Sequence, residues 1–205
     1  MNHILFASLV YQSRLNSRPA KIVSELLIEA EQIKNADKKG LSWSKKNYPG
    51  GYTSYGSMDQ LHQLSSTFEK LRKEIDGHVV QFVSQLEMDI SSKALQMNSC
   101  WLNIMPKGTS HSLHLHPLSV ISGSFYVEVP ENSSGIKFED PRLMNFMASP
   151  PRKKTARLQN QNFFEIKPSA GDLILFESWM KHEVPRNKSN KNRISISFNY
   201  DWVKK

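Results

Sequence analysis

Near residue 94 the apolar pattern of this chain changes period, from three or four to two, and does not change back. Upstream, Leu61, Leu64, Phe68, Leu71, Ile75, Val79, Phe82 and Leu86 step by three or four, the stripe of a helix that buries one face. Ser66-Thr67-Phe68-Glu69 has the form of a capping box for its main part. An earlier helix opens at Asn16-Ser17-Arg18-Pro19, with proline in the first turn, and carries Ile22, Val23, Leu26, Leu27, Ala30 and Ile33 on one face up to Gly40. A strand is expected at about 4–12, and 40–57, rich in Gly, Ser, Tyr and Lys, reads as a loop. Downstream, strands are expected at 95–105, 113–116, 121–129, 135–139, 163–167, 172–176 and 193–200. Helices first and strands second, with no βαβ alternation, predict an α+β fold in which N-terminal helices buttress a jelly-roll core.

The strand-rich half carries a clustered set of histidines. His114 and His116 are two apart, so on a strand both imidazoles point to one face. His182 returns from a separate strand region, and neutral imidazole is a common ligand for iron, copper, zinc and nickel. His111 lies three residues before His114 and cannot share its strand face. A turn after Gly108 can aim either of the two at a metal. In Arg193-Ile194-Ser195-Ile196-Ser197 the guanidinium and the Ser195 hydroxyl fall on one face and the isoleucines on the other. A guanidinium beside a hydroxyl is suited to a carboxylate.

The order His-x-His, lone His, Arg-x-Ser resembles that of the iron(II)- and 2-oxoglutarate-dependent oxygenases of the double-stranded β-helix, cupin-like fold. The similarity runs over roughly 95–202: Trp101-Leu-Asn103, Gly108, His111-x-x-His114-x-His116-Pro117, Ser122-Gly123-Ser-Phe-Tyr126, Phe138-Glu-Asp-Pro141-Arg142, Gly171-Asp172, Phe176, Trp179, His182-x-Val-x-Arg186 and Arg193-Ile-Ser195-Ile-Ser-Phe-Asn199. The superfamily's usual first motif is His-x-Asp or His-x-Glu; here the carboxylate position is a histidine. Three neutral ligands leave a divalent ion with two net positive charges, which a dianionic co-substrate neutralises.

The resemblance implies iron(II) at His114, His116 and His182, and 2-oxoglutarate with its distal carboxylate on Arg193 and Ser195. The outcome it implies is hydroxylation of a small-molecule or peptide substrate with release of succinate and carbon dioxide. Asn103 and either Ser122 or Tyr126 would position co-substrate or substrate, or are ordinary strand-face residues. Asn199 is a weaker candidate, and Phe176 and Trp179 wall the pocket or the core. Two other readings stay open: a three-histidine cupin-type dioxygenase working without 2-oxoglutarate, and a non-catalytic jelly-roll protein that binds metal or ligand. The first lacks the glutamate expected after His116 and gives Arg193 nothing to do.

Residues 1–205 are read as one domain, with 1–93 supplying a strand and supporting helices and 94–205 the jelly-roll catalytic core. The net charge of +8 sits in short runs with no interleaved aromatics, among them Lys45-Lys46, Arg152-Lys153-Lys154 and Lys204-Lys205. That argues against nucleic acid and for an anionic small substrate or a solvated basic surface. Cys100 is the only cysteine, so a disulfide within the chain and a thiolate zinc site are both excluded. No signal-peptide pattern or membrane span is expected, which makes the cytoplasm the default address. Residues 140–162 are longer than an ordinary connection and unpatterned, and are expected to form a mobile flap over the metal pocket.

Overall fold

The computed structural model describes residues 1–15, 19–91 and 94–203. The expected opening of the first helix at Asn16-Ser17-Arg18 and the basic pair at 204–205 fall outside the described residues. Four helices precede most of the strands: α1 (Pro19–Ala36), α2 (Lys38–Asn47), α3 (Leu61–Leu64) and α4 (Ser66–Gln85). The strands are β1 (Val10–Arg14), β2 (Tyr52–Thr53), β3 (Leu95–Met105), β4 (His111–His114), β5 (Ile121–Glu128), β6 (Ile136–Glu139), β7 (Phe163–Ile166), β8 (Asp172–Glu177), β9 (His182–Val184) and β10 (Arg193–Trp202). They form a six-stranded sheet in the order β1-β8-β5-β10-β3-β2 and a four-stranded sheet in the order β4-β9-β6-β7. All the strand pairs are antiparallel, the arrangement of a double-stranded β-helix.

Period two decides which face of the larger sheet meets what. Leu102, Ile104, Phe125, Leu173, Leu175, Ile194, Ile196 and Phe198 pack with Leu26 and Ala30 of α1 and with Phe68, Leu71, Ile75 and Phe82 of α4 in one core. The alternate residues face the smaller sheet. There Tyr126, Ile174 and Phe176 meet Ile136, Phe138 and Met180 in a second, smaller core. The helices therefore back one sheet, and the space between the sheets is left for a site.

Three local expectations are corrected. The N-cap of α4 is Ser65, whose Oγ accepts from the Thr67 and Phe68 N–H groups at 3.1 and 3.3 Å, so the cap lies one residue before the expected Ser66 box. Residues 40–57 are not a plain loop: α2 forms because Asp37 caps it, accepting from Gly40 N at 2.8 Å, and β2 pairs with β3. The first strand begins at Val10, since only Val10–Arg14 find partners on β8, and Ile4, Leu5 and Phe6 stay exposed.

Candidate metal centre

The site lies between the sheets, where β4 and β9 run side by side. His114 is the direct register partner of His182, and His111 that of Val184. Three residue steps on β4 thus match two on β9, a bulge that turns both His111 and His114 toward the cavity, as strict alternation would not. His116 lies two residues past the end of β4. Its N–H donates to Ser178 O at 3.0 Å, which holds it against the turn leading to His182.

One ligand atom from each of His114, His116 and His182 lies within 4.8 Å of the others, close enough for the three to share one ion. A backbone carbonyl can only accept, so His182 Nδ1, 2.9 Å from Met180 O, carries the proton and leaves Nε2 as the free lone pair. His114 Nδ1, 2.7 Å from Ser112 O, is fixed in the same way. Burial, with His114 adding to it, pushes His182 down to about 3 and His116 down to about 4. Both rings are neutral at ordinary pH, the state that ligates.

The same cavity, about 50 Å³, is lined by Trp101, Asn103, Tyr126, Phe176, Arg193 and Ser195 among others. Arg193 is 2% exposed. Its Nε donates to Ser134 O at 3.0 Å and its Nη1 to Ser195 Oγ at 3.3 Å, with the Tyr126 ring centroid 5.0 Å from the guanidinium carbon. Among the described residues no carboxylate lies within 4.0 Å of it. Beside it, Tyr126 Oη and Asn103 Oδ1 are buried without hydrogen-bond partners. A buried cation without an acid, next to orphaned polar atoms, is costly unless an anion completes it.

His114, His116, His182, Arg193, Ser195, Asn103 and Tyr126 therefore converge on one cavity. Ser122 and Asn199 do not reach it. Ser122 Oγ donates to Asn199 Oδ1 at 2.8 Å, and Asn199 Nδ2 to Ser99 Oγ at 3.1 Å, a buried network of their own. Trp179, expected to wall the pocket or core, is 45% exposed. Tyr48 went unforeseen: it arrives from the end of α2 and stacks on His111 with ring centroids 4.3 Å apart. Nothing in the sequence near it marks the contact, because the segment carries loop-like composition. His111, its ring centroid 6.3 Å from that of His114, stands outside the group of three, and burial first, then His114 and Arg193, push it down to about 3.

A larger cleft of about 850 Å³ between α4 and β3 holds none of these histidines, and its Arg72 and Asp76 are paired with each other. The donor set between the sheets fits a divalent transition metal, and the unpaired Arg193 fits a carboxylate beside it.

Residues 99–199 match the family described as "Putative 2OG-Fe(II) oxygenase". Solved structures share the fold. A Pseudomonas putida prolyl-4-hydroxylase is 14% identical with a TM-score of 0.61, covering 96% of this chain and 94% of that one. The epimerase SnoN, crystallised with Fe3+, alpha ketoglutarate and nogalamycin RO, is 13% identical with a TM-score of 0.69, covering 96% and 82%. HygX from Streptomyces hygroscopicus, with nickel, 2-oxoglutarate and hygromycin B bound, is 12% identical with a TM-score of 0.62, covering 95% and 83%. No functionally curated protein sequence matches.

Proposed function

We propose that the chain works as an iron(II)- and 2-oxoglutarate-dependent oxygenase, the family that residues 99–199 match, and that it hydroxylates an organic substrate. One oxygen atom of dioxygen enters a substrate C–H bond as hydroxyl, and the other enters succinate as 2-oxoglutarate loses carbon dioxide. Iron(II), when bound, supplies the oxygen activation and redox chemistry that link the two halves.

His114, His116 and His182 are the residues that would hold the metal. The Nδ1 bonds of His114 to Ser112 O and of His182 to Met180 O set those two lone pairs in advance. Arg193, with Ser195 and the Tyr126 hydroxyl, is suited to the distal carboxylate of 2-oxoglutarate, and the orphaned Asn103 Oδ1 to a hydroxyl or N–H donor in the same cavity. Phe138 and Phe176, packed edge-on at 5.1 Å, limit water on the His182 side. A divalent ion on neutral ligands and the Arg193 guanidinium together favour a dianion, which offsets two of their three positive charges.

The observation that carries this reading is Arg193, buried in a metal-ligand cavity with no carboxylate of its own. A dioxygenase independent of 2-oxoglutarate would leave that cation unused. The test is succinate formation on adding iron(II), ascorbate and 2-oxoglutarate to the full chain. Slow succinate release without added substrate, abolished in Arg193→Leu, is the expected result. Silence in both proteins would overturn the reading.

A further inference from the structure

We propose that the substrate of this oxygenase carries a phosphate-class anionic group, and that the tip of the 140–162 flap, Arg152, Lys153, Lys154 and Arg157, receives it. The proposal rests on the oxygenase reading for its chemistry, but its own support is separate.

The first support is placement. Phe138 on β6 is the register partner of His182, and β6 ends one residue later at Glu139. Asp140 N–H then donates to Asn162 O at 2.8 Å, which closes the two ends of the flap on each other at that point. Lys181, the residue before His182, reaches Met144 Sδ at 3.1 Å and Glu139 Oε1 at 3.8 Å. The first turn of the flap is thereby tied to the backbone that delivers a metal-site histidine.

The second support is charge. From Pro141 to Phe164 the chain has no acidic residue and five basic ones. Arg142 is occupied: its Nε and Nη2 bond the two oxygens of Asp140 at 2.9 and 2.8 Å, and Nη2 also donates to Gln159 O at 3.1 Å. The other four fall within six residues, all exposed, and among the described residues their side chains make no ion pair. Arg152 adds, after Arg142, to the effect that holds the Asp140 carboxyl below the usual range. Four cations so close together, none of them in an ion pair among the described residues, repel one another, and a multiply charged anion relieves that repulsion most directly.

The flap's apolar residues are divided: Met144, Met147 and Leu158 are exposed. Leu143 and Phe146 are half-buried, whereas the basic tip is open. A substrate held at the tip by its anionic group would reach the metal site along the base of the flap, which Lys181 ties to the His182 backbone.

Inorganic tripolyphosphate is the probe, titrated calorimetrically into the full chain and into a variant with Arg152→Gln, Lys153→Gln, Lys154→Gln and Arg157→Gln. Binding to the parent, weakened roughly tenfold or more in the variant, is expected, with 2-oxoglutarate affinity equal in the two proteins. In the manganese(II)-loaded parent, bound tripolyphosphate should also show enhanced phosphorus-31 relaxation, which places it near the metal. No binding, equal binding in the variant, or binding without relaxation enhancement while manganese is bound would each overturn the proposal. So would preferential capture of a single-stranded oligonucleotide over tripolyphosphate with a steep salt dependence. If manganese fails to bind, the metal-site reading fails and calorimetry still decides the anion site. If 2-oxoglutarate fails to bind, the oxygenase reading fails alone.

Discussion

His114 and His182 sit directly opposite each other across the β4–β9 pair, with ring centroids 4.4 Å apart. Antiparallel partners have their side chains on the same face of the sheet, so this register alone delivers two imidazoles to one point. His116 completes the set from the turn beyond, clamped by Ser178 O. Geometry of this kind survives the loss of the metal, because backbone pairing maintains it.

The first prediction follows. His182→Ala should lower affinity for iron(II) or nickel(II) by roughly a hundredfold or more, since a lost ligand costs at least as much as a lost outer-shell partner. The β4–β9 backbone bonds remain, so the far-ultraviolet circular dichroism should be unchanged. Metal titration followed by thermal melting checks both halves, and retained affinity would remove His182 from the ligand set.

Arg193→Leu addresses the co-substrate alone. The dianion would be left in a buried pocket without its cation, a loss of about 3 to 5 kcal/mol, or a factor of several hundred or more in Kd. Metal affinity should stay near that of the parent. Calorimetry with 2-oxoglutarate on nickel-loaded protein gives the answer, and unchanged binding would favour a dioxygenase that does not use 2-oxoglutarate.

What the sequence made legible, and what it concealed, follows one physical rule. Alternation along Arg193-Ile194-Ser195-Ile196 survives as written because β10 is flanked by β3 and β5 and keeps its pleat there. The facing of His111 was hidden, because it depends on a bulge, and a bulge is fixed by the partner strand rather than by the local residues. The sequence places His182 in a strand region but does not delimit β9 as a strand of its own, because His182-Glu183-Val184 is too short to carry a period. Helix α2 is hidden in the sequence for a related reason. Its residues Gly40, Ser42, Ser44 and Asn47 are poor helix formers, and the cap from Asp37, itself bonded to Tyr52 Oη at 2.9 Å, is a tertiary arrangement.

Acid should destabilise the metal-free protein in a defined window. Burial lowers His182 from 6.5 to about 3, so between those values the unfolded chain binds a proton that the folded chain does not. Stability therefore rises with pH through the window and is lost as pH falls from about 6.5 toward 3. The slope from this buried ring approaches about 1.4 kcal/mol per pH unit. The urea midpoint of the metal-free chain should fall between pH 7 and pH 5, and fall less in His182→Gln; equal falls in the two proteins would show that another group is responsible.

His111 should prove separable from the metal. It stacks on Tyr48 with an interplanar angle of 18° and lies outside the three-histidine group, although it lines the same cavity. His111→Phe keeps the stacking surface, so metal stoichiometry and affinity should stay within about threefold of the parent, a change of under about 1 kcal/mol. Loss of the metal in this variant would make His111 a ligand in place of His114.

Tyr126→Phe should move stability and ligand affinity in opposite directions. The hydroxyl is fully buried and makes no hydrogen bond of good geometry, so in the ligand-free fold its desolvation cost is offset only by the nearby Arg193 guanidinium. Deleting it should leave the metal-free protein as stable as the parent or more stable by about 1 kcal/mol. The ring stays, and with it the packing against Ile174 and Phe176 and the contact with Arg193 at 5.0 Å. What disappears is a donor beside the guanidinium, where an arriving carboxylate would accept it. Affinity for 2-oxoglutarate should then fall roughly tenfold, the worth of one hydrogen bond to a charged group. Denaturant titration and calorimetry on one preparation measure both. A stability loss of several kcal/mol would mean that the hydroxyl is already satisfied in the ligand-free protein, and unchanged 2-oxoglutarate affinity would remove it from the co-substrate site.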